Sequence, residues 1–385
     1  MAQPIARSLF LWLAGIDLRL TLLAIPPVIP LIHRDLGLDE KSVALLSGIP
    51  VLLLGLAAVP GSLLIARLGP RLALIVALVL VAIPSGLRGL GSSTAMLFAM
   101  TFLMGVGIAV AQPAMPSLVS AWFPKAIART TAIYANGLLV GETLSAALTI
   151  PFVLPLVGGA WQSSLAVWAF PVLATALLIA WKTPAIAAPS GAGRLRWFPD
   201  WRNPTTWQLG LLQGGGSITY FGANGFLPDY LHATGRPEAI APALALLNLS
   251  QIPASAILLV YGRAFAGRRR PLLAIGLLVL VALGLMLAPN PGLIVAGAAL
   301  VGFSSAFLMV LALALPPMLT VPDDVHRLSA GMFTVGYAAA FVIPLAGGAL
   351  WDASHVPAAA FTPVALGALF ALASAATLRL RNLRG

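Results

Sequence analysis

The run GIDLRLTLLAIPPVIP, residues 15–30, sets Asp17 and Arg19 inside an otherwise apolar stretch. In a helix starting near residue 8, Arg19 lies about eleven residues in, roughly 16 Å from the end. An arginine at that depth in hydrocarbon costs at least ~2.5–3.5 kcal/mol on insertion scales and faces a cavity or a partner. Its guanidinium keeps its charge and presents a planar fork suited to carboxylate-like anions. Two readings follow: recognition of an anionic solute, or an arginine–acid pair that only locks helices together. Glu142 is a second deep charge, about fourteen residues into its own apolar run, roughly 21 Å from the same face. It suits a proton-sensitive role, binding of a cationic or hydrogen-bonding solute, or a structural contact. Asp17 is two residues from Arg19, about 200° around a helix, so the two do not face one cavity squarely. A packing acid and a second proton carrier both fit it.

Around these charges, single polar residues punctuate apolar runs: Gln112, Tyr134, Asn136, Gln213, Tyr220, Asn224, Asn248, Gln251 and Tyr337. Any one of them suits either a hydrogen bond to a small ligand or an interhelical bond worth ~0.6 kcal/mol. Only the group carries a signal. Enzymatic signatures are missing. Three lysines occur, none completing a Gly-x4-Gly-Lys phosphate loop, and neither Gly-x-Ser-x-Gly nor His-Glu-x-x-His is found. The histidines (33, 232, 326 and 355) fall in or beside loops without ligand spacing, and cysteine is absent. The chain is therefore expected to be no enzyme and to hold neither metal nor cofactor.

The elements that must position these residues are membrane spans. Of 385 residues, 60% are hydrophobic and 9% charged, against about 25% charged in soluble domains. Apolar runs of about 20 residues, each enough to cross ~30 Å, recur throughout. Their breaks predict twelve spans near 8–31, 42–66, 72–90, 95–121, 128–154, 161–181, 205–231, 239–262, 271–288, 292–319, 328–350 and 358–378. The N-terminus runs into a full-length span, so the first helix is read as retained rather than as a cleaved signal. Placing both termini and the even-numbered connections on one side collects seventeen of the 22 Lys and Arg there. Arg34, Lys41, Arg88 and Arg236 fall opposite. The bias predicts cytoplasmic termini, with the +11 net charge suited to anionic headgroups at that face rather than to nucleic acid.

The longest cytoplasmic connection, 182–204, divides the chain into 1–181 and 205–385. It opens Pro/Ala/Gly-rich and ends basic with Trp197 and Trp201, as an interfacial segment would. A shift of 198 aligns the halves. Arg19 falls on Ser217, Pro30 on Pro228, and FPKAIAR at 123–129 on VPDDVHR at 321–327. Two six-helix halves in parallel repeat are the pattern of major facilitator transporters, which place substrate between the halves near the midplane.

More specific motifs agree. GSLLIARLGPRLAL resembles the loop signature of that superfamily, with Arg67, Gly69 and Arg71 matching and Ala66 standing where an Asp is expected. A short basic loop by itself needs no more than positive-inside topology. Thr101 occupies the place of an arginine found in many proton-coupled drug exporters, which counts against that branch. LRLTLLAIPPVIP, AQPAMPSLVSAWF, WQSSLAVWAFP, YFGANGFLPDYL and LLNLSQIPAS together resemble the cyanate and nitroimidazole transporter (CynX/NimT) family over essentially the whole chain. Arg19, Gln112, Tyr220 and Gln251 fall at family positions. Phe333 replaces a common glutamine, Asp17 a common asparagine, and Glu142 interrupts a run of small residues, which suggests a modified ligand.

The resemblance implies an all-α membrane protein of two pseudo-symmetric six-helix bundles, expected as a monomer in a bacterial inner membrane. It would move a small anionic or polar solute, of the cyanate or nitro-heterocycle class, by alternating access with proton coupling or exchange. In that arrangement spans 1 and 5 are close, so Glu142 would approach Arg19 and compete with a substrate anion for it. Spans 4, 5, 7, 8 and 11 would line the cavity, giving Gln112, Asn136, Tyr220, Asn224, Gln251 and Tyr337 as solute contacts beside Arg19. Glu142 and Asp17 are the proton-coupling candidates, and Arg67, Gly69 and Arg71 the gating loop. The alternatives are a proton-antiporting exporter of amphipathic or cationic compounds, with Glu142 facing the cation, and a non-transporting membrane sensor, which the lack of a signalling domain disfavours.

Overall fold

The computed structural model describes residues 2–38, 40–184 and 196–380, with several side chains between 2 and 4 and between 40 and 47 left aside. Most of the expected linker's first half, Arg194 among it, and the tail residues Arg381 and Arg384 lie outside the described residues. Among those residues there is no strand. The helices are α1 Ala2–Leu20, α2 Ile29–Leu36, α3 Glu40–Leu56, α4 Ala58–Leu87, α5 Thr94–Trp122 and α6 Ile127–Leu148. A three-residue α7 (Leu154–Leu156) precedes α8 Trp161–Val167 and α9 Ala169–Lys182. Then come α10 Pro204–Ala233, α11 Ile240–Leu249, α12 Gln251–Phe265, α13 Arg269–Met286, α14 Pro291–Leu319, α15 Val325–Ser354 and α16 Phe361–Thr377.

Nine helical stretches among the described residues are long and apolar enough to cross a membrane by length and composition. Three further passes explain the difference from twelve. The α1 helix carries Arg7, Asp17 and Arg19 within 19 residues. The α3 helix has only 17 residues but continues past a bend at Ala57 into α4. The α10 helix is rich in glycine and polar side chains. One stretch, α4, holds parts of two passes, because Gly69 leaves the helix at φ 79, ψ 158. That positive φ admits glycine without strain and turns the chain at the expected loop.

The first span departs from its expected continuous form. Regular α-helix stops at Leu20, residues 21–25 form turns, and Pro26–Val28 is a short 3-10 turn before α2. Pro26 and Pro27 supply the reason, since neither has an N–H to continue the helix, whereas Pro30 sits in the first turn of α2, where a missing N–H costs nothing.

Two compact units divide the described chain. The first comprises Met1–Ala126, Ile133–Pro199 and Val321–Ala330; the second comprises Ile127–Ala132, Asp200–Thr320 and Gly331–Gly385. Within the first, α4 packs along α5 and α9, and α3 along α5. Every side chain from Gly107 to Ser120 of α5 is buried. The broken second half of span 1 is anchored by Ala24, Ile25, Val28 and Ile32, which join Trp161, Leu165 and Trp168 in one apolar cluster. Within the second unit, α14 is the centre, contacting α10, α11, α12 and α13.

Candidate functional site

Glycines place the deep charges. Gly15 on α1 meets the Tyr134 carbonyl, while Gly137 and Gly141 on α6 meet the carbonyls of Trp12 and Ile16. A Cβ at any of the three would overlap the facing oxygen, so α1 and α6 touch backbone to backbone, as small-x3-small helix pairs do. Arg19 stands one turn beyond Gly15, and Glu142 directly follows Gly141. The seam therefore ends on both, and Arg19 Nη1 lies 3.4 Å from Glu142 Oε1. The side chains are only 8% and 17% exposed, so the charges face little water and the pair resists screening. An oxygen bearing negative charge in that position is what an anionic solute would replace.

The residues flanking the pair divide by direction. Asp17 is buried, turns to α9 and shares a side-chain hydrogen bond with Thr175, while among the described residues its Oδ2 has no hydrogen-bond partner. Asp17 therefore faces α9 while Arg19 faces α6. Trp12 Nε1 donates to Asn136 Oδ1 at 2.9 Å, an α1–α6 bond parallel to the glycine seam. Gln112 is buried in α5.

The same unit buries an arginine that falls near the end of an expected span, opposite the basic face. Arg88 is fully buried, and its Nη2 donates to the Thr21 carbonyl at 2.9 Å. Among the described residues no carboxylate lies within ion-pair distance of it. Thr21 is the first residue past α1, where carbonyls have lost their helical donors. A cation at a helix C-terminus also meets the negative end of its dipole. Arg88 therefore caps the break that follows Arg19. Nearby, Asp35 Oδ2 accepts from Trp161 Nε1 at 2.9 Å and Gln162 Nε2 at 3.1 Å, fastening α2 to α8.

In the expected gating loop Arg67 is exposed and Gly69 makes the turn. Arg71 Nε donates to Thr183 Oγ1 at 2.7 Å, and its Nη2 to the Ala180 carbonyl at 2.6 Å. It closes the C-terminus of α9, a partner that the short basic motif did not reveal.

The second unit gathers the remaining candidates in two places. On α10 and α11, Tyr220 Oη donates to Asn248 Oδ1 at 2.8 Å, and Asn248 Nδ2 to Asn224 Oδ1 at 3.2 Å. Gln251, one turn on, directs Nε2 to the Asn248 carbonyl at 3.5 Å. Elsewhere Tyr337 stacks on Phe333, ring centroids 5.9 Å apart at 18°, both buried. Gln213 Nε2 donates at 2.9 Å to Ser217, the repeat counterpart of Arg19. Among the described residues no three His, Cys, Asp or Glu side chains gather as a metal ion would require.

A family profile described as Major Facilitator Superfamily matches residues 11–265. The 2-nitroimidazole transporter of Escherichia coli (strain K12) is 32% identical over 60% of this chain, and the match spans 59% of that protein's length. The cyanate transport protein CynX of the same organism is 28% identical over 70% of each chain. Among solved structures, the FucP transporter in its outward conformation aligns at a TM-score of 0.74 with 12% identity, covering 96% of this chain and 97% of that one. The human organic anion transporter MFSD10 (TETRAN) aligns at 0.74 with 14% identity, over 97% of this chain and all of that one.

Proposed function

Because this multi-pass chain belongs to the Major Facilitator Superfamily, we propose that it is a secondary active transporter of a small anionic or polar solute, of the cyanate or nitro-heterocycle class, in a bacterial inner membrane. The observation that carries the reading is the Arg19–Glu142 pair at the end of the α1–α6 seam. Arg19 takes the solute's anionic or electron-rich group, and Gln112 of the same unit supplies a hydrogen bond that orients it; Tyr220, Asn224 and Gln251 are the candidate solute contacts of the second unit. Without solute, Glu142 neutralises Arg19. With solute, the anion takes Glu142's place, and a proton on Glu142 removes the carboxylate that would otherwise lie unpaired in a poorly hydrated site. Binding and proton uptake are linked by that exchange of partners. Asp17, turned to Thr175, takes the packing role of the two open to it.

Transport by alternating access, with cytoplasmic termini and the Arg67–Arg71 loop at that face, completes the proposal. The multidrug alternative would use Glu142 for cations, but a carboxylate already paired with Arg19 has lost that use. Its test is a thermal-shift screen of purified protein with small anions, nitro-heterocycles and lipophilic cations at two pH values. Stabilisation by anions or nitro-heterocycles that Arg19→Ala abolishes is expected. Stabilisation only by bulky cations, or undiminished binding in Arg19→Ala, would replace this reading with the alternative.

A further inference from the structure

The hydrogen-bond bookkeeping of the α10–α11 array fixes what a solute must offer it. Asn248 Nδ2 donates to the Leu244 carbonyl at 2.9 Å, and Asn224 Nδ2 to the Tyr220 carbonyl at 3.0 Å. A backbone carbonyl only accepts, so both amide orientations follow from chemistry: the NH2 groups turn to the helix, the oxygens away from it. Both N–H donors of Asn248 are then committed, one to Leu244 and one to Asn224 Oδ1. The Tyr220 hydroxyl spends its hydrogen on Asn248 Oδ1. Each amide oxygen accepts one bond and keeps a second lone pair, while a single N–H of Asn224 is the donor left over.

The array is also open. Asn248 is exposed, and Tyr220 and Asn224 are half-buried. Asn248 is about 12 Å along the helix from the start of α11. Amide groups at that depth are costly against hydrocarbon and belong against water or a polar solute.

Resting on the proposed transport of a small polar solute, we propose that Asn248 and Asn224 form an acceptor wall that selects solutes carrying an N–H or O–H donor. A bare anion offers this wall nothing. A heterocycle with a ring N–H satisfies it, and masking the N–H leaves amide oxygens desolvated without a bond.

The test is a binding series on the purified full chain: 2-nitroimidazole, its ring-N-methyl derivative and its C4-methyl isomer, which keeps the N–H at equal bulk. Pyrrole-2-carboxylate and its N-methyl derivative form a second pair of different chemistry. The N–H members are expected to bind about tenfold or more tightly than their N-methyl partners, the range of one hydrogen bond. In Asn248→Leu the ratio of N–H to N-methyl affinity should shrink below about twofold. Equal binding of the N-methyl and C-methyl isomers in the unaltered protein would overturn the acceptor wall, whether or not the variant folds. No binding by any member of either pair would overturn the proposed solute class and this inference together, a distinguishable result.

Discussion

Substituting Gly141 by alanine perturbs the proposed site without touching either charge. An added Cβ would sit 2.9 Å from the Ile16 carbonyl carbon and 3.0 Å from its Cα, and closer still to its oxygen. Ordinary carbon contacts are about 3.5–4.0 Å, so α1 and α6 must part by about 1 Å. The Arg19–Glu142 separation, 3.4 Å at Nη1–Oε1, then opens to about 4.4 Å. At an effective dielectric of about 20, the Coulomb term falls by about 1 kcal/mol. The assay is a double-mutant cycle of Arg19→Ala and Glu142→Ala, measured by reversible unfolding in detergent, run with and without Gly141→Ala. The coupling energy should be about 1 kcal/mol smaller in the alanine background. Gly48→Ala is the control, since a Cβ there meets nothing within 4 Å. A coupling that is the same in both backgrounds, within the ~0.3–0.5 kcal/mol typical of independent sites, would refute the claim that the seam sets the pair's distance.

Other expectations are separable. Arg88→Met leaves the Thr21 carbonyl without its donor and should destabilise the protein by about 1–3 kcal/mol, whereas Arg67→Ala, at an exposed position, should stay within about 0.5 kcal/mol. Unfolding curves of the two variants check this, and equal effects would remove the capping role. Gly69→Ala forces a side chain into φ 79 and should cost roughly 1–2 kcal/mol, seen as a lowered melting temperature. Asp17→Asn keeps a group able to bond Thr175 and should leave the pH dependence of solute exchange in proteoliposomes unaltered; a lost dependence would make Asp17 the proton carrier instead.

Much of the architecture is legible in residue order, because hydrocarbon thickness imposes run lengths and the polar breaks between them. PP at 26–27 marks a bend in span 1, although the donor that caps the broken helix end, Arg88, comes from another span. The charges Arg19 and Glu142 stand out by depth alone, but their pairing required knowing which helices touch. A signal for that contact lies in the sequence, in the four-residue spacing of Gly137 and Gly141 facing Gly15. It is easily passed over in a chain of 37 glycines. Arg88 reads as a cation at the end of a span, and only packing reveals that it is fully buried and bonded to the Thr21 carbonyl. Side-chain direction was the least legible feature: nothing in the order of residues says that Asn136 is held by Trp12, or that the amide oxygens of Asn224 and Asn248 turn away from their helix.

In the proposed cycle solute and Glu142 compete for Arg19, with a proton settling on Glu142 as the solute binds. Proton uptake on binding measures this directly, by titrating purified protein with the best-stabilising anion in weakly buffered solution containing a pH-sensitive dye. Up to about one proton should be taken up per bound anion in the unaltered protein, and none in Glu142→Gln with binding retained. Anion binding with no proton uptake, or the same uptake after Glu142→Gln, would contradict it.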